Sequence, residues 1–390
     1  MNRNLNILLL AQFLSAFADN AVLFTVIAMV MDTHAADAWY IPAMQASFLI
    51  AFVVLAPWVG PFSDTRPKAT VLVTGNVVKA VGAGLMLVNV EPLLAYGLIG
   101  VGAAMYSPAK YGILPELVSC EHLVKANGWV EGTTILAILA GSWIGAQIAD
   151  HSVLWALSTV LALYALSALI AVFISRLPPQ QRKHTSALPH FAYMLRTLFR
   201  HPRGRFTLLG TSLFWSTAAV LRLMLVVWAP VILLTSNTSQ IAELTLYIAI
   251  GIMSGALLAP RFIPLEHLRR TGMAAFLLGA CILLLSTTDS IWPARLALLA
   301  IGIAGGLFVV PMNAALQAIG HRTVGSGGAV AVQNFTENLS MLAATGIYTI
   351  AAAQGATPVA SIVSLGIAVL AISLLGSRHL PADERTVRPG

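Results

Sequence analysis

The chain reads as an all-α integral membrane protein whose twelve transmembrane helices form two six-helix halves. Three observations predict this. Apolar residues make up 58% of the 390 residues and charged residues only 9%, whereas a soluble domain is about 25% charged. The apolar residues gather into twelve runs, each near the ~20 residues that a helix needs to cross a hydrocarbon core. Pieces of the first six runs also recur, in the same direction, in the second six.

The runs lie near residues 7–31, 39–61, 70–89, 93–114, 127–149, 153–174, 206–234, 240–260, 269–287, 291–316, 325–350 and 357–376. The first is too long for the apolar core of a signal peptide and reads as an uncleaved span. The tenth contains Gly302 to Gly306, and small residues let helices pack closely. Ser175 to Arg205 is the longest stretch between runs and divides them six and six. The predicted organisation is therefore a first half at 1–175, a basic linker at 176–205, a second half at 206–377 and a tail at 378–390. Within the linker, Phe191 to Phe199 has the pattern of a short amphipathic helix on the inner surface.

Charge sets the orientation. Of the 22 Lys and Arg, 18 fall on one face of the predicted membrane: Arg3, Arg66, Lys68, Lys125, the seven from Arg176 to Arg205, Arg261, Arg269, Arg270, Arg322, Arg378, Arg385 and Arg388. The opposite face receives Arg295, and Lys79, Lys110 and Arg222 lie within runs. Basic loops stay in the cytoplasm, so both termini are expected there. This asymmetry accounts for the +7 net charge without a nucleic-acid partner.

The repeat is specific in its order. Residues 101–110 (VGAAMYSPAK) align with 304–313 (AGGLFVVPMN) at an offset of 203, placing Gly102 on Gly305, Pro108 on Pro311 and Lys110 on Asn313. The same offset places Glu131 on Asn334, and the first and seventh runs align at an offset of 199, placing Leu23 on Arg222. Parallel repeats of this kind build a class of secondary transporters.

Charge at membrane depth is costly, and an ionisable residue there is by default a functional-site hypothesis. The stretch Tyr106 to Glu131 carries Lys110 and Glu131 inside apolar runs, with Glu116, Glu121 and Lys125 in the turn between them. Asp19 lies twelve residues into the first run, about 18 Å deep at ~1.5 Å per residue. Gln12, Ser15, Asp19 and Leu23 share one helical face. Arg222 has a similar depth by the repeat, and Glu337 sits in the eleventh run among Gln333, Asn334 and Asn338. A structural ion pair between helices is the competing reading of each. Asp19 and Arg222 are expected to lean on each other, because an isolated buried charge costs several kcal/mol. Lys79 fits a cavity poorly and reads as a structural cation paired with an acid on a neighbouring helix.

Soluble catalytic chemistry is not visible. No histidine sits in the middle of a run, none is followed five residues later by Asp, and no P-loop occurs. Cys120 and Cys281 form no metal or disulfide pattern. The expectation is a protein that is not an enzyme and takes no metal and no cofactor.

The turn Gly60-Pro-Phe-Ser-Asp64-Thr-Arg66-Pro-Lys68 resembles the G-x-x-x-D-x-x-x-R/K loop of the major facilitator superfamily, with a reduced basic end. A carboxylate and cations at helix ends suit a conformational latch built from Gly60, Asp64, Arg66 and Lys68. A broader likeness covers nearly the whole chain. AQFLSAFADNAVLF at 11–24, VGAAMYSPAKYGIL at 101–114, KANGWVEGTTI at 125–135, GTSLFWSTAAVLRLMLVVWAP at 210–230 and AVQNFTENLSML at 331–342 together resemble the bacterial lysophospholipid transporters of that superfamily.

The resemblance implies the major facilitator fold. It also implies movement of lysophospholipids, such as lyso-phosphatidylethanolamine, across the bacterial inner membrane to the cytoplasmic leaflet by alternating access. There a separate acyltransferase/acyl-carrier-protein synthetase reacylates them. Spans one, four, seven and ten line the cavity in this architecture, which places Asp19, Lys110, Arg222 and Asn313 on it. Glu131, Asn334 and Glu337 fall on the flanking spans five and eleven. Arg222 and Lys110 suit a phosphate, and Asp19, Glu131 or Glu337 an ammonium. Two other readings stay open: a proton-coupled facilitator for drugs or small metabolites, in which Asp19 or Glu337 titrates, and a membrane-bound acyltransferase or an accessory subunit.

Overall fold

A computed structural model of the protein describes residues 3–33, 40–175, 186–234 and 238–377. The predicted tail at 378–390 and the start of the linker, 176–185, lie outside the described residues. Twelve long helices match the twelve apolar runs: α1 (Arg3–Thr33), α2 (Tyr40–Asp64), α3 (Lys68–Leu87), α4 (Pro92–Gly112), α6 (Leu123–His151), α7 (Val153–Val172), α9 (Pro202–Ile232), α10 (Thr238–Phe262), α11 (Thr271–Ser286), α12 (Ile291–Arg322), α13 (Ser326–Ala353) and α14 (Pro358–Ser377). Two shorter ones, α5 (Leu114–Leu117) and α8 (Ala187–Arg200), lie between them. Ten of the twelve are long and apolar enough to cross a membrane by length and composition. The other two are α4 and α13, whose apolar character is diluted by Ser107 and Lys110 and by Gln333, Asn334, Glu337 and Asn338.

The chain divides into two compact units. The first comprises Met1–Ser119, Leu136–Leu198 and Gln317–Phe335, the second Cys120–Ile135, Phe199–Leu316 and Thr336–Gly390. Each unit thus takes a short piece of chain from the other six-span half. The first unit buries Met44, Met86, Ile99 and Tyr164 in one core. The second buries Leu225, Trp228, Leu244, Ile282 and Leu298.

The expected close packing at Gly302 to Gly306 is present, with α10 as the partner. A Cβ on Gly302 would stand 2.3 Å from the Ile248 carbonyl oxygen, and one on Gly251 2.3 Å from that of Leu299. Backbone contact at this range requires glycine on both helices. The predicted linker helix is α8, a little longer than expected. It buries Phe191, Met194 and Leu198, spaced to share one helical face. That face meets protein: the Phe191 ring packs edge-on against Phe335 at 5.3 Å. Between α12 and α13 the chain turns at Gly325, whose φ of +92° is a left-handed conformation that glycine adopts readily. This turn positions the first residues of α13 for the contacts described next.

Candidate functional site

In the first unit, α1, α3 and α7 enclose a continuous polar network at membrane depth. Lys79 Nζ donates to Asp19 Oδ2 at 2.8 Å and to Ser15 Oγ at 3.0 Å. Tyr164 Oη donates to Asp19 Oδ1 at 2.8 Å. From Ser15 the chain of bonds runs on: Ser15 Oγ to Asn76 Oδ1 (2.7 Å), Asn76 Nδ2 to Ser167 Oγ (2.8 Å) and Ser167 Oγ to the Ala11 carbonyl (2.6 Å). The Lys79 ammonium also lies 4.8 Å over the Tyr106 ring, a cation–π contact that strengthens when desolvated. The polar stripe predicted on α1 is thus spent largely on holding three helices together.

Asp19 takes its partners within its own unit. Both oxygens of Asp19 are engaged by Lys79 and Tyr164, inside one unit. Arg222 is exposed and has no hydrogen-bond or ion-pair partner among the described residues. The reason is helical register: Asn76 and Lys79 are three apart on α3 and so share a face, which α3 turns toward α1. The expected pairing of Lys79 with an acid on a neighbouring helix is present, and that acid is Asp19. Lys79 is 1% exposed and Asp19 23%, so only the carboxylate retains access to solvent.

The remaining candidates are placed as follows. In the second unit, Asn313 Nδ2 on α12 donates to Glu131 Oε1 on α6 at 3.2 Å. In the first unit, Asn334 Nδ2 on α13 donates to Ser107 Oγ on α4 at 2.9 Å. The repeat relates these contacts, since it pairs α4 with α12 and α6 with α13. Lys110 lies in the last turn of α4 with its ammonium 4.3 Å over the Tyr111 ring, close to the helix end and away from mid-membrane depth. Glu337 is buried in α13, as are Gln333 and Asn338.

The residues expected to form a latch lie in the first unit. Asp64 ends α2, and its Oδ1 and Oδ2 accept from the backbone N–H groups of Gly327 and Gly328 at 2.8 Å each. These are donors in the first turn of α13 that have no intrahelical acceptor, so a carboxylate from a distant helix caps α13. Lys68 Nζ donates to Asp64 Oδ1 at 2.6 Å and to the Ser63 carbonyl at 3.0 Å. Gly60 makes room, since a Cβ there would stand 3.0 Å from both Ala331 Cβ and Gly328 Cα. Arg66 stands apart, its guanidinium 4.2 Å over the Phe62 ring. Glu116, in α5 outside the spans, feels this cluster. Burial pushes its carboxyl up to about 7, with Lys68 opposing and Asp64 adding to the rise. Among the described residues, no group of three or more His, Cys, Asp or Glu is placed to hold a metal ion.

A sequence profile of the Major Facilitator Superfamily matches residues 8–345. The lysophospholipid transporter of Klebsiella pneumoniae strain 342 is 42% identical over 368 residues, covering 93% of this chain and 92% of its own. The lysophospholipid transporter of Photorhabdus laumondii is 40% identical over 370 residues, covering 94% and 93%. The chain belongs to the lysophospholipid transporter family of the major facilitator superfamily.

Solved structures agree on the fold. The human organic anion transporter MFSD10 matches this family member with a TM-score of 0.79 at 16% identity, covering 97% of this chain and 98% of that one. The fucose:proton symporter of Escherichia coli gives 0.75 at 14% identity, covering 96% and 97%. The expected twelve-helix major facilitator fold is therefore the fold of this transporter-family protein, a multi-pass membrane protein. Sequence reasoning missed Asn76, Ser107, Tyr164 and Ser167 as parts of its polar networks. The spacing of Asn76 and Lys79 on α3 was a usable signal. Tyr164 carries none, because a lone tyrosine in an apolar run is ordinary.

Proposed function

We propose that this chain moves lysophospholipids, such as lyso-phosphatidylethanolamine, across the bacterial inner membrane to the cytoplasmic leaflet, as a transporter and not an enzyme. Both termini lie in the cytoplasm, and the six-span halves 1–175 and 206–377 move as alternating-access partners. The delivered lipid passes to a separate acyltransferase/acyl-carrier-protein synthetase. Support comes from relatives named lysophospholipid transporters at 42% identity over most of the chain. The observation that carries the binding chemistry is Arg222: an exposed cation within a membrane span, without a partner among the described residues. An unpaired cation at that depth is costly, and a phosphate, which every lysophospholipid carries, meets it with a charge-assisted, bidentate geometry. Asp19, Lys110, Glu131, Asn313, Asn334 and Glu337 complete the proposed substrate-binding set. Asp19, with its partly open carboxylate, takes an ammonium head group by sharing its charge between that group and Lys79.

Alternating access draws support from three contacts that each join a helix of one six-span half to a helix of the other: Asp64 with Gly327 and Gly328, Asn313 with Glu131, and Asn334 with Ser107. Hydrogen bonds to charged groups contribute ~1.5–3 kcal/mol each and neutral ones about 1 kcal/mol, so the set is worth on the order of 6 kcal/mol. A swing of about 5.5 kcal/mol moves a two-state equilibrium from one side to the other. The test is transport of labelled lyso-phosphatidylethanolamine into proteoliposomes without acyl donor, with and without an imposed pH gradient. Arg222→Ala should abolish transport of lysophospholipids with any head group. Wild-type rates in a folded Arg222→Ala variant would refute the assignment, and a strict requirement for the pH gradient would favour a proton-coupled facilitator.

A further inference from the structure

In the second unit, the ends of α9, α11 and α14, with Phe308 from the middle of α12, enclose a crevice of about 240 Å³. It follows α9 from Pro202 to Leu213, about 16 Å at ~1.5 Å per residue. Its walls are apolar, with Leu209, Phe308 and Ile372 among them. Leu209 and Ile372 are also exposed, so the crevice opens onto the surface that faces lipid in a membrane-spanning helix.

Two polar groups break the apolar lining. Arg205 stands in the first turn of α9, exposed and without a side-chain partner among the described residues. A cation there opposes the helix dipole, which favours anions at this end, so helix stability does not account for it. Ser373 on α14 is 7% exposed, and its hydroxyl has no hydrogen-bond partner. A serine in an apolar helix ordinarily donates to the carbonyl four residues before it. Ser373 does not, and it lies about one helical turn inside the end of α14, buried where Arg205 is exposed.

We propose that this crevice is a binding site for an anionic diacyl phospholipid of the bilayer, distinct from the transported lysophospholipid. The lipid phosphate rests on Arg205. One acyl chain fills the crevice, whose volume holds about eight groups of water size at ~30 Å³ each. The second chain lies along the exposed Leu209 and Ile372 surface. An acyl ester carbonyl, which sits just below the phosphate in such a lipid, accepts from Ser373. The inference rests on the membrane-spanning fold alone and stands whatever the transport substrate is.

The experiment uses the full-length protein, stripped of lipid in detergent, with phosphatidylglycerol as the probe and native mass spectrometry as the readout. Arg205→Gln should weaken binding about tenfold or more, the loss expected for one charge-assisted contact. Gly376→Leu plugs the crevice without a clash, because nothing lies within 4 Å of a Cβ built there. It should weaken binding as much while leaving charge unchanged. A phosphatidylglycerol with a photoreactive acyl chain should label peptides containing 272–275 and 372–376 in the wild type and not in Gly376→Leu. Wild-type affinity in both variants, or labelling confined to other peptides, would overturn the proposal. Equal competition by glycerol phosphate, which has no acyl chain, would reduce the site to a bare anion contact and also overturn it.

Discussion

Removing Lys79 tests whether the Asp19 network is structural, and the two halves of the pair should respond unequally. Breaking a buried ion pair by deleting one partner costs about 3–5 kcal/mol, because the other charge is left unpaired. Asp19→Asn strands the Lys79 ammonium, which is 1% exposed, and should approach that full cost. Lys79→Met strands Asp19, which is 23% exposed and keeps the Tyr164 hydrogen bond. Its cost should be smaller, roughly 2–3 kcal/mol once solvent screening is allowed for. The double variant leaves neither charge, and apolar replacement of a whole buried pair is often near neutral. Melting of the purified protein in detergent should therefore rank wild type and double variant together, then Lys79→Met, then Asp19→Asn. Tyr164→Phe should cost less than either single charge removal. If the single losses simply add in the double variant, Asp19 and Lys79 are not coupled and the reasoning fails.

The latch predicts that Asp64→Asn slows transport while leaving lysophospholipid affinity nearly intact. The lost anion at the start of α13 is worth up to ~2 kcal/mol, roughly 30-fold in the contact equilibrium, and an unchanged transport rate would count against the latch. Glu116 should tune stability with pH. Its carboxyl rises from 4.5 to about 7 on folding, so the folded state prefers the protonated form, and the group's contribution to stability falls as pH rises through that window. Glu116→Gln should flatten the melting temperature across that range and stabilise most at its alkaline end. The orientation predicts that exposed Cys120 resists an impermeant thiol reagent added outside intact cells and reacts after the membrane is opened.

Some of the architecture was legible because it rests on additive, local quantities. Apolar run length predicts spans, the Lys and Arg distribution predicts an orientation, and the two aligned segments predict the repeat. The Gly302 to Gly306 contact and the α8 amphipathic face belong to the same class, since small size and helical spacing are read directly along the chain. Asp64 was also legible, because a carboxylate at a helix end between Gly60 and Lys68 is itself a local pattern.

The sequence by itself determined that Asp19, Lys79, Glu131 and Arg222 needed partners or a polar surrounding, because burying a lone charge is costly in any fold. Only the tertiary structure decided which partner Asp19, Lys79 and Glu131 received. Lys79 reaches Asp19 because α3 turns the face bearing Asn76 toward α1, and Tyr164 completes the carboxylate because α7 packs beside both. Glu131 meets Asn313, and Asn334 meets Ser107, although the partners are 182 and 227 residues apart in sequence. Hydropathy and spacing describe one helix at a time. The rotation of a helix about its own axis against its neighbours is fixed by packing, and that rotation converts a list of buried charges into pairs.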